Sequence, residues 1–268
     1  MITTEVFGYI LAILVGVSLG IVGSGGSILT VPILVYVMGI EPIIATAYSL
    51  FVVGTTSLVG GIQKALKRKV DFKTVFIFGA PSIIAVYMTR AYLLPAIPEQ
   101  LFSIGEFVFT KALVIMLLFA IVMIFAAISM IRPCVDCEQN TDQPIRYNYP
   151  MILLEGSVVG VITGMVGAGG GFLIIPALVL LAKMPIKIAV GTSLFIIAGK
   201  SLLGFLGDLK GPNAIDWSML SIFTGLSVVG IFIGIMLSKK IDGDKLKSLF
   251  GWFVLLMGIY IMFSELFL

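Results

Sequence analysis

Residues 20–35 read Gly-Ile-Val-Gly-Ser-Gly-Gly-Ser-Ile-Leu-Thr-Val-Pro-Ile-Leu-Val, and residues 164–179 read Gly-Met-Val-Gly-Ala-Gly-Gly-Gly-Phe-Leu-Ile-Ile-Pro-Ala-Leu-Val. The offset of 144 residues holds without a gap as far as Gly60 and Gly204, and 17 of the 41 aligned positions are identical. Gly23/Gly167, Gly25/Gly169, Gly26/Gly170, Pro32/Pro176, Ser49/Ser193 and Ser57/Ser201 are among them. Chance likeness between apolar stretches would match Leu with Val. It would not keep a glycine pattern and a proline in register. The chain is therefore a duplication, with repeat one at 1–131, a linker at 132–149 and repeat two at 150–268.

Composition says where the two copies live. Of 268 residues, 59% are hydrophobic and 12% are charged, against about a quarter charged in soluble domains. Ten apolar segments recur from end to end: 6–22, 28–38, 42–62, 72–95, 107–131, 150–166, 172–183, 186–206, 215–237 and 246–267. Eight are long enough to cross a bilayer, which takes about 17–25 helical residues. The segments 28–38 and 172–183 cover roughly half that thickness, and each follows a Gly loop directly. The expected fold is an all-α polytopic membrane protein of eight long and two half helices. Residues 1–5 carry no basic cluster, so the first segment reads as a retained helix and not a signal peptide.

Each short segment either extends the helix before it, giving parallel repeats, or turns back as a re-entrant half-helix, giving inverted repeats. Basic residues gather in cytoplasmic loops. The re-entrant arrangement puts 13 of the 17 Lys and Arg on one face against Arg90, Lys111 and Lys210 on the other, while the parallel arrangement divides them evenly. The expectation is two inverted repeats in the cell membrane, with both termini extracytoplasmic and the linker cytoplasmic.

Inverted repeats with broken helices place a transporter's site near the midplane. A half-helix starting inside the membrane aims free N–H groups and a positive dipole end at whatever precedes it, and glycines let an anion approach that backbone. The candidate substrate-binding residues are Ser24, Gly25, Gly26 and Ser27 in the first loop and Gly169, Gly170 and Gly171 in the second. Tight helix packing is the plainer use of such glycines. Lys200 joins the site because an intramembrane cation is costly and marks function. Ser193 lies seven residues before it on the same helix face, and the pair Ser49 and Thr56 is equivalent in repeat one. Snorkelling, or pairing with Asp208, is the alternative for Lys200. Glu155 is the carboxylate best placed for proton coupling, with the interface as its plainer setting.

The absence of histidine removes the usual base, proton switch and metal ligand. Without paired carboxylates either, nothing points to an enzyme. Cys134 and Cys137, as Cys-Val-Asp-Cys, have metal or redox spacing, but two thiols alone cannot close a tetrahedral zinc site. No metal and no cofactor is expected.

The doubled Gly-x-x-Gly-x-Gly-Gly-Gly/Ser-x-Leu-x-x-Pro, followed by Ala-x-x-x-Ser-Leu-Phe, resembles the sulfite exporter TauE/SafE family over essentially the full length. The resemblance implies transport of sulfur-containing anions such as sulfite and sulfonates. It carries the loop motif onto residues 23–27 and 167–171 and the polar helix motif onto Ser49 and Ser193; Lys200 and the cysteines rest on their own chemistry. The expected function is secondary transport of such an anion by alternating access. Its partners are the substrate, the bilayer and a coupling proton or ion, with no nucleic acid and with an oligomer left open. The alternative is a membrane sensor or accessory subunit acting through Cys134 and Cys137.

Overall fold

A computed structural model describes residues 2–104, 107–131, 149–180, 184–209, 215–238 and 243–267. Eight helices are long: α1 Ile2–Val22, α2 Pro42–Leu66, α3 Phe72–Met88, α4 Lys111–Ile131, α5 Tyr149–Val166, α7 Ile186–Asp208, α8 Trp217–Leu237 and α9 Gly243–Phe267. A π-helical turn, Thr89–Leu93, and a last turn, Leu94–Ala96, lengthen α3. The helix α6, Gly171–Leu180, is short. Six of the long helices are apolar and long enough to cross a membrane, and α1 and α5 contribute shorter apolar cores. The architecture is an all-α polytopic membrane protein, as the composition requires.

Two segments differ from the sequence expectation. The first half-helix is a 3₁₀ turn Gly23–Leu29, a single α turn Thr30–Pro32 and a π turn Ile33–Val37. Its Gly run thus forms the helix start itself, which glycine's lax backbone permits. Residues 107–110 are also not helical. They form the strand β2, Phe107–Thr110, paired antiparallel with β1, Gln100–Ile104. Phe-Val-Phe-Thr is aromatic and β-branched, a composition that favours a pleated strand as readily as a membrane helix. Hydropathy alone merged it with α4.

The two repeats interlock. α1 packs along α8, and its repeat mate α5 packs along α3, the mate of α8. α2 packs on its own mate α7, and α4 faces α9. Hydrogen bonds repeat the exchange. Asp71 caps α3 and Asp216 caps α8 with their carboxylates. The backbone N–H of Asp71 donates to Thr192 Oγ1 at 3.0 Å and that of Asp216 donates to the Tyr48 hydroxyl at 2.7 Å. Tyr48 and Thr192 are equivalent under the 144-residue offset. Each helix start is therefore tied to the equivalent position of the other repeat.

Glycines report the helix directions. On α1, Gly16 abuts the Ser227 backbone and Gly20 that of Ile231 and Gly234, so α1 and α8 run parallel. On α5, Gly156, Gly160 and Gly164 meet Phe78, Ser82 and Thr89 of α3 in ascending order, again parallel. These are close backbone approaches of the kind small residues permit between membrane helices. By contrast Gly54 faces Leu202, Gly60 faces Leu194 and Gly204 faces Leu50, so α2 and α7 run antiparallel. α4 and α9 do likewise, since Gly251 meets Ala127 and Gly258 meets Ala120. The equivalent helices α2 and α7, and likewise α4 and α9, thus run antiparallel to each other, and α2 crosses α7 near Thr56 and Lys200.

Candidate functional site

The crossing of α2 and α7 is buried and polar. Lys200, Thr56, Ser57 and Ser201 are each fully buried at 0% exposure. The hydroxyls of Thr56, Ser57 and Ser201 have no hydrogen-bond partner among the described residues. Lys200 Nζ donates to Thr163 Oγ1 at 3.3 Å, while Thr163 donates to the Val159 carbonyl. Among the described residues Lys200 makes no ion pair, because Asp208 is bonded to Arg90. A buried ammonium that keeps its charge needs an opposite charge. One neutral hydroxyl at 3.3 Å does not provide it.

The second Gly loop reaches this ammonium. Gly169 and Gly170 have φ of +66° and +62°, the left-handed region that glycine occupies without strain. A Cβ at Gly170 would stand 2.9 Å from Lys200 Nζ and within 1.9 Å of Thr163 Cγ2. A Cβ at Gly169 would meet Val53 at 2.7 Å and lie 3.6 Å from Ser201 Oγ. Bare backbone, the lysine head and the Ser201 hydroxyl thus converge at the start of α6. Gly171 is its first residue.

The first loop is built differently. Ser24, Gly25, Gly26 and Ser27 lie in the 3₁₀ turn Gly23–Leu29, which packs on α6 and α7. Ser27 is fully buried. Gly26 is backed by its own preceding helix: a Cβ there would lie 2.4 Å from Ser18 Oγ and from the Leu19 nitrogen. The position equivalent to Lys200 is the neutral Thr56.

The structure does not gather the ten candidates into one cluster. Gly169, Gly170 and Lys200 come together. Ser49 and Ser193 are both fully buried, but they flank the crossing on opposite sides. The antiparallel register separates them by about 20 Å along the helix pair, so one small ion cannot touch both. Each lies near where a loop of the other repeat begins: Gly167 abuts Thr46, and Gly23 abuts Val190. Ser193 also donates to the Val190 carbonyl at 2.9 Å. Motif identity singled out these serines, but antiparallel packing sends them apart. Thr163 and Ser201 were the residues overlooked. Ser201 had a signal, because it is identical to Ser57 across the repeat; Thr163 had none beyond sitting just before the loop.

A pocket of about 450 Å³ lies elsewhere, between α1, the first half-helix and α9. Leu14, Val17, Pro32, Phe250, Phe253 and Met257 help line it. Apart from Ser18 and Tyr36 its lining is apolar and suits hydrocarbon. Cys134 and Cys137 fall outside the described residues.

The sulfite exporter TauE/SafE family profile matches residues 9–266. The chain belongs to that family. A relative in Xylella fastidiosa, described as a probable membrane transporter protein, is 28% identical over 94% of this chain and 92% of its own length. The probable membrane transporter protein YunE of Bacillus subtilis is 26% identical over 97% of this chain and 99% of its own. MJ0441 of Methanocaldococcus jannaschii, with the same description, is 35% identical over 43% of this chain and 45% of its own. No solved structure matches. This TauE/SafE protein is thus a multi-pass membrane transporter and not an enzyme.

Proposed function

We propose that this TauE/SafE protein is a secondary transporter of small sulfur-containing oxyanions, sulfite or an organic sulfonate, and that Lys200 with the second Gly loop forms the heart of its site. The observation that carries this reading is the fully buried Lys200 Nζ beside Gly170 with no carboxylate partner among the described residues. An oxyanion there would balance the lysine, take backbone N–H groups and the positive end of α6, and give the Ser201 and Thr56 hydroxyls an acceptor. The first-loop residues Ser24, Gly25, Gly26 and Ser27 complete the opposite wall. Ser49 and Ser193 line the approaches from the two faces.

Alternating access between inverted repeats is the mechanism that goes with this site. The antiparallel α2/α7 and α4/α9 pairs support an inverted arrangement, because parallel repeats would run their equivalent helices in the same sense. The basic loops around Lys67 and Lys240 then face the cytoplasm, with both termini outside, and a proton or ion drives the cycle.

Thermal unfolding of the purified protein against sulfite, methanesulfonate, sulfoacetate, acetate and chloride tests the substrate class. Stabilisation that rises with sulfite or sulfonate concentration, and stays smaller with acetate and chloride, is the expected outcome. Equal response to every anion removes the sulfur specificity. If Cys134→Ser/Cys137→Ser abolishes function while Lys200→Ala leaves it intact, the sensor reading takes over.

A further inference from the structure

Lys200 is not the only cation inside the helix bundle. Arg90 lies in the π turn that lengthens α3, and its side chain is wholly buried against α7. Gly207 makes room for it, since a Cβ there would come within 2.9 Å of Arg90 Cβ. Its one described partner is Asp208, through a single Nη1···Oδ1 contact of 3.3 Å. Arg90 Nε, Arg90 Nη2 and Asp208 Oδ2 are buried and without a partner among the described residues.

Two features make this more than a structural ion pair. An arginine placed to lock a carboxylate uses two parallel N–H···O bonds, but here the fork edge formed by Nε and Nη2 is left open. Leaving such donors buried and unmet costs free energy, and a planar or tetrahedral oxyanion matches that edge in geometry and charge. Arg90 also sits beside Gly207, seven residues beyond Lys200 on α7, or about 10 Å further along. Its neighbour Thr89 packs on Gly164, one residue from the Thr163 that holds Lys200. The two cations share one wall built from α3, α5 and α7.

We infer that the Nε/Nη2 edge of Arg90 is a second oxyanion-binding site, one step away from Lys200 on the same path. Asp208 is its anchor: it orients the guanidinium through Nη1 and leaves the fork to the ligand. The inference shares the anion reading of the Lys200 site but does not depend on Lys200 binding, so the two can fail separately.

Methanesulfonate titrated calorimetrically into purified full-length protein is the test, with variants in the Lys200→Ala background. Lys200→Ala should keep one saturable site. Adding Arg90→Lys preserves a charge for Asp208 but removes the fork, and should weaken that remaining site at least tenfold. The neutral pair Arg90→Gln/Asp208→Asn avoids a stranded buried carboxylate and should abolish it, with circular dichroism confirming the fold. A Lys200→Ala protein with no saturable site overturns the inference. So does a remaining site that Arg90→Lys leaves within twofold. Undiminished affinity of the Lys200→Ala protein, with the Arg90 arms behaving as stated, would instead remove Lys200 and spare Arg90.

Discussion

The two glycine loops are equivalent under the 144-residue offset, but they are built differently. The second loop has positive φ at Gly167, Gly169 and Gly170, whereas the first has it at Gly23. The second ends against a buried lysine, while the first folds back onto Ser18 and Leu19 of its own helix. At the α2/α7 crossing the equivalent residues are Thr56 and Lys200. Duplication supplied a symmetric frame, and one substitution, threonine against lysine, put the charge on one side.

The harshest way to break this comparison is Gly170→Val. Its side chain would occupy the space beside Lys200 Nζ and Thr163, so flux into vesicles should vanish. Gly26→Val should also abolish flux, by wedging the first half-helix off Ser18 and Leu19. Only the Gly26 variant should keep the methanesulfonate site at Lys200 once it is folded in detergent, and the Gly170 variant should retain just the site at Arg90. Equal loss of binding in both would make the loops functionally equivalent.

A smaller effect is expected from the crossing pair. Lys200→Arg keeps the charge but crowds Gly170, and should hold part of the affinity that Lys200→Ala loses. Thr56→Ala removes one hydroxyl and should cost about 0.5–1.5 kcal/mol of binding. A Thr56 variant as damaged as Lys200→Ala would return the charge argument to plain polarity. Ser201→Ala should fall in the same range as Thr56→Ala, and Ser57→Ala below it, because Ser201 faces the charged loop. The smallest expected change is none: Cys134→Ser/Cys137→Ser should transport within twofold of the parent, since neither half-helix contains them.

Much of the frame was legible in the sequence, because a register of 17 identities in 41 positions fixes which helices are mates. The short segments after Gly23 and Gly167 also announced broken helices. Three things were not legible, each for a physical reason. Phe107–Thr110 is apolar enough to pass for the start of α4, and only pairing with Gln100–Ile104 makes it a strand. Ser49 and Ser193 looked like partners because motif identity does not say where along their length two helices cross, and the observed register separates them. Arg90, inside the segment 72–95, counted only as a charge on the outer face, because its π turn and its Asp208 partner, 118 residues away, are tertiary facts.

The central claim is that Lys200 holds the anion. Methanesulfonate affinity of the parent and of Lys200→Ala, measured side by side in the same detergent, tests it most directly. The account predicts a loss of about 2–4 kcal/mol, roughly 30- to 1,000-fold in Kd. A Lys200→Ala protein that binds within twofold of the parent would contradict it and take the lysine out of the site.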